Sequence, residues 1–334
     1  MFPWRKKAQL FSIATPAAKA PDILSLISFP RISTTVRASS QSALEPTTAS
    51  PVSASLENVG VGGAIRALAV HWPEYLMEAS ELAIFMISAC LITALLEHPS
   101  SVVHRHIPND LLRRFLTGLA MAGTAIGIIY SPLGKRSAAH FNPAVTLTFF
   151  RLKKIAFWDT VFYILAQFAG GIGGVLLASV ALGMAISHRA INYAATVPGA
   201  GGKPVAFFAE MVISCILLLT VLIVSNSKKW SRFTPLFAGT LIATFITFEA
   251  PLSGMSMNPA RTLGSALLPH LFDGLWIYFL APLIGMLLAA ELYIRVRSLR
   301  NVHCAKFHHH NSHRCIFRCR FDELASSSDS TTGN

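Results

Sequence analysis

The sequence predicts an all-α membrane protein: six transmembrane helices plus two re-entrant half-helices, arranged as an inverted repeat. Three observations predict it. The chain is 53% hydrophobic and only 13% charged, with a mean hydropathy of +0.52, whereas a soluble domain carries about a quarter charged residues. Apolar runs recur at the length of about 20 residues that crosses a hydrocarbon core. Finally, an Asn-Pro-Ala triplet occurs twice, as Asn142, Pro143, Ala144 and as Asn258, Pro259, Ala260, each where a polar loop turns into an apolar run. Asn is a good N-cap, and Pro fits the first helical position because its missing N–H would be unpaired there anyway. Each triplet therefore starts a helix. The apolar runs that follow, 145–150 and 262–268, are too short to cross a bilayer.

In chain order, residues 1–58 are rich in Ser, Thr, Ala and Pro, with Arg5, Lys6, Lys7, Lys19, Arg31 and Arg37 against only Asp22, Glu45 and Glu57. No apolar run there is long enough for a secretory signal. A disordered extension is expected, and an organelle transit peptide is the other reading of so acid-poor a stretch. The membrane domain is expected over 59–298, with spans at about 75–96, 112–130, 157–185, 205–224, 233–248 and 275–296. Gly170, Gly171, Gly173 and Gly174 in the third span mark close helix approach. A Gly/Pro-rich loop at 187–204 joins two halves, about 75–185 and 205–297. Each half holds an odd number of spans, so the second enters from the opposite face and equivalent parts meet near the midplane.

The net charge of +12 points to a membrane rather than to nucleic acid, because Lys and Arg gather in the tails and in short loops beside spans. Lys135, Arg136, Arg151, Lys153, Lys154, Lys228, Lys229 and Arg232 fall on one side. Arg105, Arg113, Arg114, Arg189 and Lys203 fall on the other. Both basic tails join the larger group, so both termini are expected in the cytoplasm of a multi-pass plasma-membrane or bacterial inner-membrane protein.

Arg261 follows the second triplet directly, and His140 stands two residues before Asn142. Gln167 sits in an Ala-Gln-Phe context, and each half has an early Glu, Glu81 and Glu210. With these and the paired triplets, the stretch 75–297 resembles the aquaporin family, also called major intrinsic proteins. The resemblance implies a passive channel for water and small uncharged solutes, a homotetramer in membrane lipid, and no cofactor. Two half-helix N-termini would meet at mid-membrane, each with about half a positive charge from its aligned peptide dipoles. Asn142 and Asn258 would turn side-chain N–H groups into the lumen, orienting water and repelling cations. Glu81 and Glu210 would hold the loops before the triplets, with support from Gln167, and His140 would offer its carbonyl.

The resemblance puts Arg261, Met255 and Ile246 at the narrowest point, with Met121 or Ala122 as the fourth position. Strict water channels have a small polar residue and a His where this chain has Met255 and Ile246. Glycerol facilitators have Asp where it has Thr262. An apolar constriction with one Arg therefore implies urea, glycerol or hydrogen peroxide alongside water. An ion-coupled secondary transporter is the competing function, since inverted repeats and broken helices occur there too. An enzyme finds no support: no nucleophile–base pair or phosphate loop stands out.

Cys90 and Cys215 lie inside apolar spans as small buried thiols. The tail, 299–334, is different. Cys304, His308, His309, His310, His313, Cys315 and Cys319 make a Cys/His tract, compositionally able to bind a borderline metal, with Cys304, His308, Cys315 and Cys319 as the candidate ligands. The other reading is a basic tail lying on the inner leaflet through Arg314, Arg318, Arg320 and Phe317, with acylation of a Cys near the membrane.

Overall fold

The computed structural model describes residues 60–326, so the expectation for 1–58 lies outside the described residues. No strand occurs among them. The long helices are α1 (Val61–Glu97), α3 (Asp110–Tyr130), α6 (Phe157–Leu182), α7 (Gly202–Ser225), α8 (Thr234–Phe248) and α11 (Leu275–Arg297). Between them lie the short α2 (Val102–His106), α4 (Pro132–Ser137), α5 (Pro143–Arg151), α9 (Ala250–Ser253) and α10 (Pro259–Leu267), with α12 (Phe321–Ser326) in the tail.

One boundary differs clearly from expectation. Helix α1 begins at Val61, well before residue 75, because Pro73 sits within it and the apolar, Ala-rich stretch before that proline continues the helix. Helix α8 has 15 residues, about 22 Å at 1.5 Å per residue, less than a hydrocarbon core of about 30 Å. It stops because Pro251 and the left-handed Gly254 (φ 84°) turn the chain inward through α9. The other five long helices are long and apolar enough to cross a membrane.

Packing repeats between halves. Helix α1 packs chiefly on α6 and α7 chiefly on α11, while α3 packs on α8. Each half-helix also lies on the last span of the opposite half, α10 on α6 and α5 on α11. Glycine permits the two main contacts: a Cβ on Gly170 would stand 2.1 Å from the Ala79 carbonyl oxygen, and one on Gly285 2.2 Å from that of Met211. Gly173 has no such neighbour within 4 Å. Large apolar side chains such as Val180 (85% exposed) and Leu177 (59%) cover the outside of the long helices, as lipid-facing spans require.

Candidate functional site

Asn142 and Asn258 cap α5 and α10. The Asn142 side-chain oxygen accepts from the Ala144 amide at 2.9 Å, and that of Asn258 from the Ala260 and Arg261 amides at 3.0 and 3.2 Å. Pro143 and Pro259 occupy the first turn, where no N–H is needed, and Ala144 and Ala260 are fully buried. The side-chain amides then cross over. Asn142 Nδ2 donates to the Met257 carbonyl at 2.7 Å, and Asn258 Nδ2 donates to the Phe141 carbonyl at 2.7 Å. Each cap thus ties down the other half's loop, which takes up one of the N–H groups expected in the lumen and leaves each amide its second.

The loops before the triplets share an unusual backbone. Ala138, Ala139 and Phe141 have φ of 96°, 58° and 30°, and Gly254, Met255 and Met257 have 84°, 52° and 55°. These are the same offsets from Asn142 and Asn258. A non-glycine residue held there costs roughly 1–3 kcal/mol and persists only where surroundings fix it. Here the surroundings do. Ser137 and Ser253 hydroxyls accept from the Ala139 and Met255 amides, both at 3.0 Å, and their carbonyls accept from Tyr163 and Tyr278 hydroxyls, both at 2.6 Å.

Glu210 accepts from the Ser253 hydroxyl and from the Ser256 and Met257 amides at 2.8, 2.6 and 2.7 Å. In the first half the matching carboxylate is Glu78, not Glu81. Glu78 accepts from the His140 and Phe141 amides at 2.9 and 2.7 Å and from Gln167 Nε2 at 2.7 Å. Glu81 takes only the Ser137 hydroxyl, at 2.6 Å. The two acids stand three residues apart, on one helix face, so spacing does not choose between them. The buried His140 ring lies between Thr146 Oγ1, 3.1 Å from Nδ1, and the Ala305 carbonyl, 3.0 Å from Nε2.

From the Asn pair toward one surface runs a cavity of about 390 Å³, walled by Met121, Ile246, Met255 and Arg261. Met121, not Ala122, faces it. Arg261 keeps a buried Nη1 without a protein partner among the described residues. Phe85, one turn beyond Glu81, also lines it, 5.8 Å from the Phe141 ring. The i, i+4 spacing of Glu81 and Phe85 was the signal available for it. On the other side of the Asn pair the space is only about 50 Å³, and Phe307 lines it with His140 and Asn142.

Phe307 belongs to the tail, which folds back under the bundle. Residues 302–320 form no helix or strand, yet Val302, Ala305, Lys306, Phe307 and His308 are buried. Arg314 pairs with the fully buried Glu74 through Nε and Nη2 at 3.2 and 2.8 Å, and Arg136 reaches the same carboxylate at 2.8 Å. Phe317, expected on the membrane, is instead buried 5.8 Å from the His140 ring. Cys304, Cys315 and Cys319 come together with His309. His308 turns away, onto the Tyr130 ring at 5.0 Å, so the fourth member is its neighbour. Burial holds the ammonium of Lys306, and that of Lys154, below the usual lysine range.

A model of the major intrinsic protein family matches residues 71–293. A probable NIP-type aquaporin of Nicotiana alata is 34% identical over 178 residues, which is 53% of this chain and 64% of that protein. Nodulin-26 of Glycine max is 30% identical over 182 residues, 54% of this chain and 65% of that one. The matched stretch thus spans less than two thirds of either relative. In fold, the chain is similar to the aquaglyceroporin from Plasmodium falciparum, with a TM-score of 0.56 and 22% identity over 68% of this chain and 96% of that one. With the paired triplets and crossed loops, these matches establish that the chain belongs to the major intrinsic protein family.

Proposed function

We propose that the chain is a passive transmembrane channel for water and small uncharged solutes of the urea, glycerol or hydrogen peroxide kind, and that it excludes protons and ions. The observation that carries this reading is the cavity that reaches the Asn142–Asn258 pair between two half-helix N-termini. A cation at that point meets positive potential from both helix ends, while a neutral solute meets donors from Asn and Arg261. The wall of Met121, Ile246 and Met255 offers no hydrogen bond to water, and an unpaired polar group costs roughly 1–3 kcal/mol on protein scales. A solute with one apolar face rests on that wall and presents its polar face to Arg261. Coupled transport has no specific observation in its favour. In this reading the protein is a homotetramer of the plasma membrane or a bacterial inner membrane, both termini are cytoplasmic, and the narrow side of the pore is the cytoplasmic one.

Stopped-flow light scattering on liposomes tests it, comparing water, glycerol, urea and hydrogen peroxide, with a trapped pH dye to follow protons. Water and solute flux without proton leak is expected. Flux that needs an ion gradient, or none above protein-free liposomes in any variant, would overturn it.

A further inference from the structure

We propose that Cys304, His309, Cys315 and Cys319 bind one divalent ion of the zinc class, and that this ion fixes the tail as a cap on the narrow side of the pore, with Phe307 as its plug. The ligand set comes first. Three thiols and one imidazole are a standard donor set for a closed tetrahedral zinc site. The four ligand atoms all lie within 4.8 Å of one another. Two ligands about 2.3 Å from a tetrahedral centre stand ~3.8 Å apart, and Cys304 and Cys315 sulfurs are 3.6 Å apart. Cys319 Sγ and His309 Nε2, now 2.9 Å apart, need to open by only a fraction of an ångström. The His309 ring is already steered, stacked on Phe321 at 4.3 Å. At 3.6 Å the cysteine pair is no disulfide, whose sulfurs would be bonded at about 2.05 Å.

Charge agrees. Three thiolates exceed the charge of one divalent ion, and the buried Lys306 brings its amine to the Arg314 carbonyl at 2.9 Å, next to Cys315. The segment also needs a staple. A stretch as long as 302–320 without regular structure is uncommon in a compact fold, and an ion joining Cys304 to Cys319 spans nearly all of it.

The cap follows from what lies between the ligands. Within this loop the Ala305 carbonyl sits 3.0 Å from His140 Nε2, the Phe307 amide donates to the Ala138 carbonyl at 3.5 Å, and the Phe307 ring lines the 50 Å³ space beside Asn142. Arg314, one residue before Cys315, is the anchor on Glu74. Loss of the ion frees both ends of the loop that holds Phe307. This closure rests on the channel reading; the metal site does not.

Full-length protein purified under reducing conditions tests the site by metal content and by cobalt substitution. Retention of about one zinc per protomer is expected, with a tetrahedral cobalt spectrum carrying thiolate charge-transfer bands. A Cys315→Ser, Cys319→Ser double variant should lose both, and His309→Ala should weaken retention while His308→Ala leaves it intact. No retained metal, or a Cys304–Cys315 disulfide under those conditions, overturns the site. For closure, chelation of the wild type and Phe307→Ala in the zinc-loaded protein should each raise water flux several-fold. Zinc retained with flux unchanged by both overturns the cap. No flux in any form overturns the channel reading and the cap together, and the metal assays still decide the site.

Discussion

Glu78 and Glu81 share a helix face, yet they do unequal work. Glu78→Ala strands the His140 and Phe141 amides, and an unsatisfied buried group costs roughly 1–3 kcal/mol each. Glu81→Ala frees only the Ser137 hydroxyl, which can turn to another acceptor. Thermal unfolding in detergent should therefore rank Glu78→Ala and Glu210→Ala well below Glu81→Ala; equal losses for both acids of the pair would refute the assignment. The caps were legible because Asn followed by Pro has one good local solution at a helix start, whereas the place of Arg261 came from the family resemblance. Glu78 was not legible, since its role depends on which turn of α1 meets the loop, a matter of how far the helix is shifted along its axis, which spacing leaves open. At the wall, Ile246→His adds a donor where water finds none. The ratio of water to glycerol flux should rise in that variant, and an unchanged ratio would mean that the wall does not select.

Among whole elements, the six spans and two half-helices could be read from hydropathy and capping, with the start of α1 as the misjudged limit. Pro73 and Glu74 marked the edge of the apolar run, but α1 carries that proline in its interior and continues through the Ala-rich stretch before it. The glycines of α6 could be read as a group, not one by one. Gly170→Ala pushes a Cβ into the Ala79 carbonyl, and such overpacking costs roughly 1–3 kcal/mol. Gly173→Ala meets nothing and gains helix propensity. A clearly lower melting temperature for the first and none for the second is expected; similar values for both would place the tight contact elsewhere. The tail was least legible. Its metal-ligand types were plain in the sequence, but a 16-residue stretch from Cys304 to Cys319 gives no periodicity from which to tell His309 from His308.

For the whole molecule, the band of exposed Leu, Val and Phe and the buried charges of the tail mean two solvents act on one chain. The exposed apolar faces of the spans suit lipid, and protein rather than water covers Glu74, Lys306 and Lys154. Family membership also sets an expectation for assembly. Cross-linking of the protein in native membranes should give a ladder that extends to four copies. A ladder that stops at two would count against the tetramer.

The exchange of side-chain amides between Asn142 and Asn258 bears on how the protein is made. A ribosome that has finished the first half has exported a loop whose cap donates to a carbonyl, Met257, that has not yet been synthesised. Helix α5 likewise awaits α11. The strained first loop has to remain provisional in the bilayer until the last third of the chain arrives, so assembly of the centre is a late, long-range event. Two half-chains expressed together should then recover a protease-resistant core. Either half alone should be degraded, and survival of the first half by itself would show that its loop is complete without its counterpart.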